Sequence, residues 1–173
     1  FTVGFVPISH SIPESSGLVI DTPEGRLVHS GDFKIDTDPV VGEPFDHALW
    51  ESIGASGVKA LMCDSTNIFS HHPGRSESSV AAPITDLVAG QPGMVVATTF
   101  ASNVARVKTL VEAGIRAGRS VCLMGRAMNR MVEAGKATGV PTDFPSTIPV
   151  EQASSIPRET LMLVVTGSQG ERR

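Results

Sequence analysis

One histidine and one aspartate occur where divalent-metal chemistry could be built, each in a short polar segment beside a strand-like run. His10 lies in Ser-His-Ser-Ile-Pro-Glu-Ser at 9–15, and Asp32 lies in Gly-Asp-Phe-Lys at 31–34. A neutral imidazole and a carboxylate are typical zinc ligands, and a carboxylate can bridge two ions roughly 3.5–4 Å apart. The same two residues are also typical of a capped turn or a satisfied core hydrogen bond, so their spacing alone does not decide between these interpretations.

The elements around these residues predict that they share one end of a sheet. Strand-like runs at 17–21 and 26–30 flank a turn, Thr-Pro-Glu-Gly, which is typical of an antiparallel hairpin. The end of the second hairpin strand lies beside the start of the first, so the Asp32 loop should approach the segment that contains His10. A later run at 58–63 leads directly into Asp64. Strand ends that open into loops commonly carry the chemistry of α/β proteins.

The pattern changes after residue 67. A stretch rich in Ser, His, Gly and Pro at 67–80 indicates a crossing between domains. Beyond it, apolar strand-like runs alternate with amphipathic segments, which predicts βαβ units on a parallel sheet. The predicted strands are 94–99, 120–124 and 160–166, and the predicted helices are 103–117, with Ser102 as its N-cap, and 127–138. The fold class is therefore α/β in two parts.

Six short segments, in order along nearly the whole chain, resemble motifs of one nuclease family. His-Ser-Ile-Pro-Glu-Ser at 10–15 and Gly-Asp-Phe-Lys-Ile-Asp at 31–36 are similar to the third and fourth metal motifs of metallo-β-lactamase fold nucleases, and to the RNase J branch in particular. Cys-Asp-Ser-Thr-Asn at 63–67 resembles the acidic motif that follows in that family. Three further segments resemble parts of the RNase J β-CASP domain: Thr-Thr-Phe-Ala-Ser-Asn at 98–103, Gly-Arg-Ala-Met at 125–128 and Thr-Gly-Ser-Gln-Gly-Glu at 166–171.

The resemblance implies a fold, cofactors and residue roles. Residues 1–75 would form part of a metallo-β-lactamase αββα sandwich, and residues 76–173 part of a β-CASP domain with a parallel sheet flanked by helices. His10 would bind one of two Zn²⁺ ions, and Asp32 would bridge both. Asp64 would serve catalysis by hydrogen-bonding a histidine later in the chain and positioning it for proton transfer. The implied activity is that of a cytoplasmic, homo-oligomeric (dimeric or tetrameric) 5′ exonuclease and endonuclease acting on RNA.

Two parts of the family pattern are not in the sequence. The His-x-His-x-Asp-His motif would precede Phe1, and the later histidine motifs would follow Arg173. We therefore expect an internal piece of a longer enzyme that is inactive by itself, because most of the zinc ligands would come from outside it.

Contacts to RNA are implied at four residues of the second part. The segment Gly167-Ser168-Gln169-Gly170 follows a predicted parallel strand, and backbone N–H groups of such turns can bind phosphate, although an ordinary turn is the simpler interpretation. Ser102 and Arg126 begin the two predicted helices and could contact the same backbone. Several arginines could add a local cationic face, although solvated helix arginines are more common. These are Arg106, Arg116, Arg119, Arg126 and Arg130.

Composition excludes some classes of protein and leaves others open. A net charge of −4 gives no global footprint for nucleic acid, so a polyanion would need a local patch or a metal. No apolar run is long enough to span a bilayer, and no signal peptide is evident. Cys63 and Cys122 fit buried, reduced thiols. Three alternatives stay open: another hydrolase on the metallo-β-lactamase fold, a nucleic-acid-binding module formed by 80–173, and an enzyme that acts on DNA.

Overall fold

The structure, a computed structural model, describes residues 1–72, 74–141 and 143–166. The chain divides into two compact units, Phe1–Ser76 and a second unit that begins at Glu77. Each unit has its own sheet and its own helices, so the predicted α/β class is confirmed. Within the part of the chain that the structure describes, no helix is both long and apolar enough to cross a lipid bilayer.

The first unit is built on a four-stranded sheet in the order β1-β2-β3-β4. β1 pairs with β2 and β2 with β3 in antiparallel fashion, whereas β3 and β4 are parallel. β1, β3 and β4 therefore run in the same direction and end at the same edge of the sheet. The strands are β1 (Thr2–Pro7), β2 (Ser16–Thr22), β3 (Gly25–His29) and β4 (Val58–Met62).

The predicted hairpin between β2 and β3 is confirmed. Thr22 pairs with Gly25 across the turn, and the register continues to Leu18 opposite His29. The Thr22 hydroxyl accepts a hydrogen bond from the Glu24 N–H at 3.1 Å and donates to the Gly25 carbonyl at 2.8 Å, which stabilises the turn. Gly25 has φ of +131°, a conformation that L side chains rarely adopt, and this explains the glycine.

A helix, α1 (His47–Ala55), lies between β3 and β4, in a region for which the sequence predicts no element. Asp46 caps it, because its carboxylate accepts a hydrogen bond from a first-turn N–H at 2.9 Å. Trp50 attaches the helix to the sheet: its indole N–H donates to the Pro7 carbonyl at 3.1 Å. Its ring also lies so close to Gly17 that a Cβ there would approach it to 2.7 Å.

The second unit has a three-stranded sheet that is parallel, as the alternating pattern predicts; its strand order is β5-β7-β6. One face of the sheet packs against three helices, with a core that includes Val107, Val111, Val121, Met162 and Val164. The strands are β5 (Val95–Thr98), β6 (Ser120–Met124) and β7 (Leu161–Val165). The helices are α2 (Ala81–Ala89), which the sequence did not reveal, α3 (Val104–Arg116), α4 (Arg126–Thr138) and the short α5 (Val150–Ala153).

Two local predictions are wrong. The N-cap of α3 is Asn103 and not Ser102, because the Asn103 side chain accepts the hydrogen bond from Arg106 N at 2.9 Å. The sequence also predicts that both cysteines are buried. Cys122 is buried as predicted, and desolvation, followed by the charge of Glu151, raises the pKa of its thiol. Cys63 is exposed, contrary to the prediction, because it follows β4, the outermost strand on one side of the first sheet.

Candidate active site

Three polar groups follow three strands that end at one edge of the first sheet. His10 follows β1, Asp32 follows β3 and Asp64 follows β4. Because these three strands run in the same direction, the segments after them meet at the same edge. The hairpin accounts for His10 and Asp32, as the sequence predicts, and the parallel pairing of β3 with β4 adds Asp64.

Ser9 joins the first of these segments to the second. Its carbonyl accepts a hydrogen bond from the Lys34 N–H at 2.8 Å, and its hydroxyl donates to the Lys34 carbonyl. The same hydroxyl accepts from the Asp36 N–H at 3.2 Å. Ser9, the residue before His10, is therefore bonded to Lys34 and Asp36, which lie shortly after Asp32.

Ser30 joins the second segment to the third. Its N–H donates to the Met62 carbonyl at 2.9 Å, and its hydroxyl accepts from the Asp64 N–H at 3.0 Å. The hydroxyl in turn donates to the Gly31 carbonyl at 2.6 Å. Gly31 has φ of +64°, and its N–H donates to His29 Nδ1 at 2.9 Å. The backbone just before Asp32 is thus held in a sharp turn at the end of β3.

Asp64 is held as an ionised carboxylate at this edge. The Thr66 hydroxyl at 2.6 Å and the Thr66 N–H at 2.8 Å both donate to it, and these bonds hold the pKa of the carboxyl below its usual range. Partial burial opposes this shift, whereas a hydrogen bond from the Phe33 backbone and the charge of His10 add to it. The pKa of Asp64 therefore responds to both neighbouring segments, through the Phe33 backbone and the charge of His10.

The donor types at this edge suit zinc, but their number does not complete a site. His10 is partly exposed, with its Nδ1 3.4 Å from the Ser11 hydroxyl, and Asp32 is exposed, so both can offer donor atoms. Imidazole nitrogen and carboxylate oxygen are ordinary zinc ligands. Within the described residues, however, no three histidine, cysteine or acidic side chains are close enough together to hold an ion. The chain thus presents part of a ligand set.

Two of the four implied RNA contacts, Ser102 and Arg126, lie at the carboxyl edge of the second sheet. Ser102 follows β5 and Arg126 follows β6, and these parallel strands place both residues at the same edge. Gly125, the N-cap residue of α4, has φ of +125°, and a Cβ there would lie 3.4 Å from the Thr166 hydroxyl. α4 therefore starts close to the end of β7. Gly167 and Ser168 lie outside the described residues.

The cationic face expected from five arginines is smaller in the structure. Arg106 forms an ion pair with Glu77, and Arg116 forms one with Glu112 at 2.7 Å. Arg119 is buried and donates to main-chain carbonyls, so it cannot contact a ligand. Arg126 and Arg130 are exposed on α4 and remain available to an anion.

Sequence reasoning missed the residues that hold the three segments together. Ser9 and Ser30 are small and polar and occur in no recognisable ligand pattern, although each lies within two residues of the end of a strand and within two residues of a candidate ligand. A serine in that position is a signal that could be sought, because a buried hydroxyl needs hydrogen-bond partners and so tends to connect loops.

Comparison with known proteins identifies the family. Residues 92–173 match the family model of the ribonuclease J β-CASP domain. A ribonuclease J of Sinorhizobium meliloti is 40% identical over 173 residues, which is 100% of this chain and 31% of that protein. A ribonuclease J of Thermus thermophilus is 35% identical over 173 residues, 99% of this chain and 30% of that protein. The chain belongs to the ribonuclease J family.

The chain spans a third or less of the length of such curated relatives. A ribonuclease J of Helicobacter pylori strain 26695, for example, is 36% identical over 174 residues, which covers 99% of this chain and 25% of that protein. The fold also resembles a crystal structure of a protein of unknown function from Enterococcus faecalis V583. The TM-score is 0.59 at 17% identity, with 97% of this chain and 42% of that chain covered, so this likeness concerns the fold alone.

Proposed function

We propose that the chain carries part of the catalytic centre of a zinc-dependent ribonuclease. The observation that supports this most strongly is the convergence of His10, Asp32 and Asp64 at one edge of the first sheet, in a chain of the ribonuclease J family. In this proposal residues 1–75 are part of a metallo-β-lactamase αββα sandwich, and residues 76–173 are part of the β-CASP domain.

His10 and Asp32 would hold metal in the intact protein, with further ligands from outside this chain. Two bound zinc ions would supply Lewis acidity and an activated water for attack on phosphorus. Asp32 is exposed at the tip of its loop, so both of its carboxylate oxygens can be offered to the ions. Asp64 stays ionised and accepts hydrogen bonds from Thr66, and its remaining acceptor capacity can orient a histidine for proton transfer.

RNA is the proposed substrate, cleaved by 5′ exonuclease and endonuclease activity. Ser102 and Arg126 follow strands that end at one edge of the second sheet, where a hydroxyl and a guanidinium can bind phosphate, and Gly167 and Ser168 are proposed to add backbone donors. Because the net charge is −4, this local contact and the metal must attract the polyanion. The proposal also includes a homo-oligomer and the cytoplasm as the compartment.

Substitution of the proposed ligands in the intact protein tests this function. We expect Asp32→Ala and His10→Ala each to lower RNA cleavage at least about a thousandfold, which corresponds to roughly 4 kcal/mol of transition-state stabilisation. Both should also lower the zinc content, while the unfolding midpoint in zinc-free buffer stays unchanged. Asp86→Ala, which removes an exposed carboxylate from α2, is the matched control and should behave as wild type.

The outcome also separates the alternatives. Turnover that persists in Asp32→Ala would remove the bridging role of this carboxylate. Cleavage of single-stranded DNA at the same rate as RNA would make the enzyme a general nuclease. Hydrolysis of ester or thioester substrates without cleavage of either nucleic acid would indicate a different hydrolase on the same fold.

A further inference from the structure

Two serine hydroxyls are buried at the edge of the sheet that carries the proposed zinc ligands. Ser9 is 7% exposed and Ser30 is 4% exposed, whereas Asp32 is exposed to solvent. Ser9 immediately precedes His10, and Ser30 lies two residues before Asp32. Burial of a hydroxyl is unfavourable unless it is hydrogen-bonded, so two such groups beside two candidate ligands call for a physical explanation.

The hydroxyls bond to loops and not to the strand ladder. Ser9 lies beyond the end of β1, and its hydroxyl bonds to the Lys34 carbonyl and the Asp36 N–H. Ser30 lies beyond the end of β3, and its hydroxyl bonds to the Gly31 carbonyl and the Asp64 N–H. The pairing of β1, β2 and β3 uses backbone groups alone, so it does not need either hydroxyl.

These bonds fix the backbone on both sides of Asp32. On one side, Ser30 holds the Gly31 carbonyl and the start of the Asp64 segment. On the other side, the Ser9 carbonyl and hydroxyl hold Lys34, two residues after Asp32. Because Ser9 is covalently joined to His10, the bonds of Ser9 also set the distance between His10 and Asp32.

We propose that Ser9 and Ser30 are positioning residues for the metal site, whose buried hydroxyls fix the separation of His10 and Asp32 without binding metal or substrate themselves. This inference rests on the proposed function, since it assigns a role toward the same pair of ligands. Groups that orient metal ligands in this way typically change metal affinity by 10–100-fold when they are removed.

Removal of each hydroxyl in the intact protein tests the proposal. Ser9→Ala and Ser30→Ala are compared with Ser52→Ala, which removes a hydroxyl that bonds only within α1, to the Leu49 carbonyl at 2.7 Å. Zinc dissociation constants are measured by competition with a chromophoric chelator, well below the unfolding midpoint of every variant. We expect about a 10–100-fold weaker zinc affinity in Ser9→Ala and Ser30→Ala, and no change in Ser52→Ala.

Two further readouts separate positioning from general stability. At saturating zinc, kcat for RNA should fall about tenfold or more in both site variants while KM stays within about twofold, because the RNA contacts are untouched. In zinc-free protein, amide hydrogen exchange should accelerate at Lys34 in Ser9→Ala and at Asp64 in Ser30→Ala, but not within β2 and β3. Faster exchange throughout the sheet, with unchanged zinc affinity, would make the serines merely structural and overturn the proposal.

His10→Ala and Asp32→Ala are included as references. If these variants keep both zinc and cleavage, the proposed function itself fails and the positioning role falls with it. If they lose both, while Ser9→Ala and Ser30→Ala match Ser52→Ala, the function stands and only the positioning role is refuted.

Discussion

Replacement of Gly31 by alanine is expected to impair the proposed site at a modest cost in stability. Gly31 has φ of +64°, in the left-handed region, where an L side chain costs about 1–2 kcal/mol. An added Cβ would also lie 3.2 Å from the Ser16 carbonyl oxygen, a backbone atom that cannot rotate away, which adds about 1 kcal/mol. Gly31 directly precedes Asp32, so any shift that relieves this contact moves the proposed bridging ligand.

Gly57→Ala is the matched control in the same unit. Gly57 has φ of +87°, so its backbone penalty is of the same order, but a Cβ there would meet nothing within 4 Å. It lies just before β4, at the opposite edge of the sheet from Asp64. The two variants therefore share the conformational penalty and differ in the contact with Ser16 and in their distance from the site.

Native-state hydrogen exchange of the β2 and β3 amides, together with RNA cleavage, measures the two effects separately. The contact with Ser16 is the main energetic difference between the two variants, and one kcal/mol corresponds to about a fivefold change in amide protection. The protection factors of the two variants should therefore differ by less than about tenfold. Gly31→Ala alone should bind zinc more weakly and show a kcat lowered by about tenfold or more, whereas Gly57→Ala should keep both values. Wild-type cleavage by Gly31→Ala, or equal impairment by Gly57→Ala, would refute the link between this turn and the site.

Three further predictions concern the second unit, and one of them has its comparison variant, Gly54→Ala, in the first unit. Arg119→Met should cost about 3 kcal/mol in chemical denaturation, because four carbonyls lose a buried charged donor; a cost below about 1 kcal/mol would contradict this. Gly114→Ala should lower the free energy of unfolding by about 1–2 kcal/mol, because its Cβ would lie 2.5 Å from a methyl of Val121 in β6. Gly54→Ala in α1, where a Cβ would meet nothing within 4 Å, should instead raise the free energy of unfolding by up to about 1 kcal/mol. The Lys108 ammonium holds the pKa of Asp143 below its usual range, so this pair stabilises the unit at neutral pH. The contribution is lost as pH falls below about 4. In Asp143→Asn, the free energy of unfolding measured against pH should not show this loss.

The elements that the sequence predicted are those set by local chemistry. The hairpin turn at 22–25 needs only a threonine, a proline and a glycine within four residues, and the register of β2 and β3 follows from it. The amphipathic pattern of α3 and the apolar runs of β6 and β7 are equally local. For these segments one favoured conformation was visible without knowledge of the neighbours.

The errors concern features that depend on distant neighbours. Arg119 could be taken for a solvated arginine, yet its guanidinium is buried against the carbonyls of Gly93 and Gln91, more than 25 residues away. Ser102 and Asn103 are both good N-caps, and which of them serves depends on where the first turn of α3 begins. No pattern within ten residues distinguishes these outcomes.

The sequence predicted neither the helix α1 nor the position of Asp64 at the same sheet edge as His10, and both omissions have one cause. Two adjacent parallel strands need a crossover of a dozen or more residues, usually a helix, to return the chain to its starting edge. α1 is that crossover between β3 and β4, and without it the run at 58–63 could have been placed antiparallel, with Asp64 at the opposite edge from His10. The Trp50 indole fixes the crossover to the Pro7 carbonyl, at the end of β1. Recognition of Asp46 as a helix cap would therefore have led, through the parallel pairing, to the third group of the site.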